Sequence, residues 1–128
     1  MKKNVLYFLS FVAPMMVFAA DIYEDVSSAI RSGNASEISS FFSGNVDLTI
    51  LSEENMYSKA QAEVILKDFF SKNVPKTFTI IHKGTSKEGA MYAIGTLETT
   101  NGINYRTYFF IKQISGKNYI QELRFEKE

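Results

Sequence analysis

The sequence predicts an α+β domain in which two amino-terminal helices and one long helix pack on an antiparallel sheet. Three observations carry this expectation. The stretch "SKAQAEVILKDFFSKN" (58–73) opens on a capping box, Ser58 with Gln61, and meets no Gly or Pro before Pro75. Its apolar residues Ala62, Ile65, Leu66, Phe69 and Phe70 form one broad stripe, so this helix is built to lie on something flat. From Thr77 onward, four strand-like runs are punctuated by "GTSKEG", "NG" and "SGK", the pattern of an antiparallel meander.

The earlier elements follow from local chemistry. "MKK", an apolar run and "VFAAD" read as a signal peptide over residues 1–19, with cleavage after Ala19 or, failing that, Ala20. The apolar run is short for a bilayer span and contains Pro14, so no membrane contact is expected after cleavage. The export signal implies a periplasmic or secreted address. Residues 21–127 then form a single domain. Asp21 with Glu24 caps a first helix whose Ile22, Val26, Ala29 and Ile30 share a stripe, and Gly33 suits the left-handed turn that ends it. Asn34 with Glu37 starts a short second helix running to about Phe42, and "VDLTIL" reads as a strand with Val46, Leu48 and Ile50 on one face.

Composition narrows the function. The chain has no cysteine, so about two-thirds of its unfolded surface must be buried by packing alone. Removing Lys2 and Lys3 from fourteen basic residues leaves twelve against fourteen acidic ones, a net charge near −2. That balance gives no electrostatic reason to expect nucleic acid. No Gly-rich phosphate loop, nucleophile elbow or metal-ligand spacing occurs, and no cofactor is expected.

Read as a two-residue turn, "NG" at 101–102 pairs positions that sum to 203. Phe78, Ile80, Met91, Ala93, Leu97, Tyr108, Phe110, Leu123 and Phe125 then face the helices. Tyr92, Ile94, Phe109, Ile111 and Ile120 form an apolar patch on the other face, either open to water or covered by a second subunit. A homodimer through this patch is the expected partner arrangement.

The stretches "SAIRSGNASEISSFFSGNVDLTIL", "YSKAQAEVILKDFFSKN" and "YAIGTLETTNGINYRTYFFIK" resemble a family of small exported bacterial proteins catalogued as a domain of unknown function. The element order resembles the nuclear transport factor 2-like, cystatin-like superfamily. That resemblance implies a curved sheet closed by helices into a cone-shaped half-barrel, often with a pocket at the wide end and dimers through the sheet. Activity does not follow from such a fold.

By the same register, the polar residues inside the cone are His82, Arg106, Tyr108, Lys112, Tyr119 and Gln121, a donor-rich and base-poor set. It suits holding a small anionic or carbonyl-bearing ligand better than removing a proton. Arg106 either enters a wet cavity or snorkels to the rim, and His82 is either a structural side chain or a base without an orienting partner. The sequence therefore points to a non-catalytic binding domain with Arg106, Tyr108, His82, Tyr119 and Gln121 as candidate ligand contacts. Two alternatives stay open: an isomerase- or dehydratase-type enzyme, and a structural subunit of an envelope assembly.

Overall fold

The computed structural model describes residues 21–86 and 88–128; the export signal expected over residues 1–19 lies outside the described residues. The Asp21 carboxylate accepts from the Tyr23 and Glu24 backbone N–H groups and starts α1 (Ile22–Ser32). Gly33, at φ 66°, ends it and returns its N–H to Ile30 O. Asn34 caps α2 (Ala35–Ser39), which stops short of Phe42 because that residue already begins β1 (Phe42–Ile50). An unexpected strand, β2 (Glu53–Ser58), follows a tight turn and leads into α3 (Lys59–Lys72), whose capping box is fully formed. The meander comprises β3 (Pro75–Thr85), β4 (Met91–Thr99), β5 (Asn104–Ile114) and β6 (Lys117–Lys127).

The strands form one sheet in the order β2-β1-β6-β5-β4-β3. All pairs are antiparallel except β1 with β6, so the sheet is mixed rather than wholly antiparallel. Helix α3 carries the chain from the β2 edge to the β3 edge and, with α1 and α2, covers one face.

The β4–β5 register departs from expectation by one residue, and this decides which side chains are available for function. Opposed positions sum to 202: Ala93 faces Phe109, Gly95 faces Thr107 and Leu97 faces Tyr105. The cause is the loop. Gly102 N–H donates to Thr99 O, and Thr99 N–H to Ile103 O, at 3.1 and 3.2 Å. Gly102 has φ 84° while Asn101 keeps a negative φ, so the connection has three residues and ends in a left-handed glycine. Asn101 is held there by its side chain, whose amide donates to Lys72 O and Asn73 Oδ1 at 3.2 and 3.0 Å. The two-residue turn is instead Ser115–Gly116, with φ 52° and 80° and Ile114 opposite Lys117.

A one-residue slip exchanges the faces of a strand. Tyr105, Thr107, Phe109 and Ile111 therefore point under the helices, with Phe109 and Ile111 fully buried. Arg106, Tyr108 and Phe110 lie on the open face, not inside the cone. Two bulges add further corrections. Gln121 is an extra residue between Glu122, opposite Phe110, and Ile120, opposite Ile111, so Ile120 turns into the core beside Leu123. Ile81 is the extra residue on β3, which moves His82 to the open face while Phe78 and Ile80 stay beneath the helices.

The helix-covered face is packed rather than hollow around α3. Phe69 lies 5.1 Å from Tyr105 and 4.9 Å from Phe125 between ring centroids, and Phe70 sits 5.7 Å from Phe125. The Tyr105 hydroxyl donates to Asn73 Oδ1 at 2.5 Å, tying the end of α3 to the β4–β5 hairpin. Burial raises the Tyr105 pKa above its ordinary value of 10.0. The unfolded chain therefore ionises first, and the stability that the neutral phenol contributes is full below pH 10 and lost as pH rises beyond it. Tyr105→Phe should cost about 1 kcal/mol at neutral pH. In urea titrations the gap to the parent protein should narrow above pH 10; a constant gap would contradict this.

Candidate functional site

The open face of the sheet is mapped by strand register. One row runs Met56, Asp47, Glu122, Phe110, Tyr92; the next runs Glu54, Thr49, Arg124, Tyr108, Ile94, His82; a third runs Glu126, Arg106, Thr96, Thr79. The β2-β1-β6 side is acidic around Arg124, and the β5-β4-β3 side is aromatic with Arg106 and His82.

The rings make a continuous ladder. His82 Nε2 and Tyr92 Oη are 2.9 Å apart, the Tyr92 and Tyr108 centroids 6.5 Å apart, and the Arg124 guanidinium carbon lies 5.8 Å from the Tyr108 ring centre. The Tyr92 ring lies against Gly84, where an added Cβ would come within 2.8 Å of Tyr92 Cε1. Glycine there gives the ring its place.

An open depression of ≈ 650 Å³ sits beside this ladder, lined by Ile94, Arg106, Tyr108, Glu122, Arg124 and Glu126. Arg124 Nη2 meets Glu122 Oε1 at 2.6 Å, and its Nη1 is 4.0 Å from Glu126 Oε1. Burial pulls the Arg124 guanidinium down, but Glu122, with lesser help from Glu54 and Glu126, more than offsets it and leaves the pKa raised. Tyr108 is pushed up by burial and by the Glu122 charge, against the opposing pull of Arg124. Arg106, by contrast, is exposed and makes no ion pair among the described residues. In the same rows, Asp47 Oδ1, Thr49 Oγ1 and Arg124 Nε are buried with no hydrogen-bond partner among the described residues.

The ten residues singled out from the sequence separate accordingly. Arg106 and Tyr108 join Ile94 in the depression, while His82 pairs with Tyr92 next to it. Tyr119, opposite Lys112, is half-buried farther along the open face, and Gln121 Nε2 reaches Ser43 Oγ at 3.5 Å from its bulge. Phe109, Ile111 and Ile120 are core residues and cannot contact a second subunit. Glu122, Arg124 and Glu126 were not singled out, although their alternation of opposite charges along one strand face was a readable signal. Among the described residues no group of three His, Asp or Glu converges to hold a metal.

A second, smaller depression of ≈ 320 Å³ lies between α3 and the β1–β2 turn, floored by Ile50, Leu51, Tyr57, Ile65 and Phe69. Its charged rim includes Lys72 and Asp68, which pair with each other at 3.0 Å.

Comparison with known proteins agrees with this architecture. A family model described as a domain of unknown function (DUF4783) matches residues 23–126. The chain is similar to a DUF4783 family protein from Bacteroides ovatus, with 31% identity, TM-score 0.76, and 81% of this chain and 93% of that one covered. A Bacteroides fragilis member matches at 32% identity and TM-score 0.75, covering 81% and 96%. A nuclear transport factor 2-like protein of unknown function from Shewanella baltica shares the fold alone, at 9% identity and TM-score 0.64 over 84% and 88%. Comparison with curated proteins finds no match.

Proposed function

Because the chain belongs to the DUF4783 family of unknown function and has a nuclear transport factor 2-like fold, we propose that it is an exported, non-catalytic binding domain whose open sheet face holds an anionic group. The observation that carries this reading is Arg106, a free guanidinium at the wall of the depression, with Tyr108 and Ile94 as its apolar floor. A guanidinium presents a planar fork of donors that matches carboxylate or phosphate. Glu126, directly opposite Arg106, and Glu122 one row away lie 4.0 and 2.6 Å from the Arg124 guanidinium and form no ion pair with Arg106, which leaves it to an incoming anion. The ligand, or a partner's side chain, would carry a carboxylate, phosphate or polarised carbonyl on an apolar or aromatic body.

Binding is favoured over proton abstraction by what the core contains. Among the described residues, and apart from Thr49 on the open face, the buried polar residues are Ser27, Ser39, Thr99 and Thr107, with no acid, base or cation among them. An isomerase-type mechanism in the cone needs a carboxylate near His82 or Tyr108 beneath the helices, and both of those side chains lie on the other face. Export rests on the basic start and apolar run of residues 1–19.

Titration of the isotope-labelled protein with benzoate and phenyl phosphate, followed by amide chemical shifts, tests the reading. Shifts should cluster at Ile94, Arg106 and Tyr108, and Arg106→Ala should weaken the apparent Kd at least about tenfold, the loss of one charge-assisted pair. Shifts confined to Ile50, Tyr57 and Phe69, or none at all, would refute it.

A further inference from the structure

We propose that the protein pairs with a second copy of itself through the free edge of β2, extending one sheet across a two-fold axis at Met56. The two edges of the sheet are built differently. On β3, the Tyr23 hydroxyl donates to Gly84 O at 3.0 Å, Arg31 Nη2 donates to Phe78 O at 3.4 Å, and a bulge at Ile81 breaks the line. These are devices that close an edge to further pairing. Strand β2 has none of them before its last residue. It pairs with β1 in unbroken register and contains no Lys or Pro, and its one side-chain cap among the described residues is at its very end, where the Ser58 N–H donates to Gln61 Oε1 at 3.2 Å.

Exposed apolar side chains flank this edge on both faces. Met56 is 65% exposed on the open face, and Val64 of α3 is 68% exposed on the helix side. Val64 forms a shallow apolar depression with Tyr57, Ala60 and Ile65. A second copy related by a two-fold normal to the sheet covers both at once, because its α3 lies on the same side.

The pairing is constrained by geometry. Directly opposed residues in an antiparallel ladder point to the same face, so a two-fold pairing must join positions of equal parity. Centred on Met56, it sets Met56 against its own mate, Asn55 against Tyr57 of the second copy, and Glu54 against Ser58 of the second copy. Apolar meets apolar on the axis, and neither acid of the strand meets its own mate. Centred on Asn55, it would set Glu54 against Met56.

This contact leaves the Arg106 depression on β4, β5 and β6 uncovered, so it is independent of the binding reading. Arg106→Ala should not change the mass, and Met56 variants should not change the benzoate titration.

Sedimentation of the mature chain at micromolar concentration should give twice the chain mass, and Met56→Lys should weaken association at least about tenfold by setting two ammonium groups on the axis. The chain has no native cysteine, so Met56→Cys under mild oxidation reports one approach only. Directly opposed positions are within disulfide reach, so Met56→Cys should give linked dimer. Ile114→Cys, also exposed but on the other part of the sheet, should stay monomeric. A monomer in sedimentation, or a dimer in which the residue-56 thiol links no faster than the residue-114 thiol, would overturn the proposal.

Discussion

Phe109→Ala is expected to cost about 3–5 kcal/mol of folding stability, as deletion of a fully buried ring does. Arg106→Ala should change stability by no more than about 0.5 kcal/mol, because its side chain is exposed on the open face. The contrast follows from register alone. Phe109 stands between Ala93 and Leu123 in the ladder beneath the helices, and a cavity there has no flexible neighbour on the strand side to fill it. Arg106 stands between Thr96 and Glu126 on the other face, where solvent replaces whatever it loses. In the register that sums to 203 the order would be reversed: alanine at 109 would be mild, and alanine at 106 would empty the cone. Equilibrium urea denaturation of the two variants separates these outcomes.

Gly95→Ala should be nearly as damaging for its size, destabilising by about 1–3 kcal/mol through overpacking. The added Cβ would sit 2.6 Å from Phe78 Cζ and 2.7 Å from Thr79 O. The ring can swing away only by leaving the core, and the carbonyl belongs to the β3–β4 ladder and can move only with its strand. Gly44→Ala is the control, since nothing lies within 4 Å of a Cβ there. Thermal unfolding should show a clear fall for Gly95→Ala and almost none for Gly44→Ala; equal shifts would mean that Phe78 does not lie over Gly95.

The helices were legible because their signals are local. Ser58 with Gln61, Asp21 with Glu24 and Gly33 each specify a cap within a few residues, and the structure forms all three. The sheet was legible as a meander but not in its register. "NG" is compatible with a two-residue or a three-residue loop, and the choice is made by Asn101 reaching across to Lys72 and Asn73 on another element. A readable signal did exist on β5. The even positions carry Arg106 and Lys112, whereas Tyr105, Thr107, Phe109 and Ile111 carry no charge, so polarity alone favoured burying the odd set.

The bulges at Gln121 and Ile81 had no such signal. Each is a single inserted position: at Gln121 it brings Ile120 and Leu123 together under the helices, and at Ile81 it turns His82 outward while Phe78 and Ile80 stay inside. Strand β2 was missed because "EENMYS" is polar, and its turn uses Leu51 at φ 61° where glycine is the usual mark. The site moved with the register. Arg106 and Tyr108 remain neighbours, but on the open face, where Ile94 joins them and Glu122, Arg124 and Glu126 complete the wall.

The open face owes both its binding depression and its aromatic ladder to the β4–β5 register, and that register can be read directly by nuclear Overhauser contacts between opposed Hα atoms. Every second opposed pair in an antiparallel ladder brings its Cα atoms to about 4.5 Å and gives a strong contact. The strong contacts should join alternate positions summing to 202, such as Tyr92 with Phe110 and Ile94 with Tyr108. Contacts joining Ile94 with Phe109 and Tyr92 with Ile111 would return Arg106 to the space beneath the helices and contradict the site.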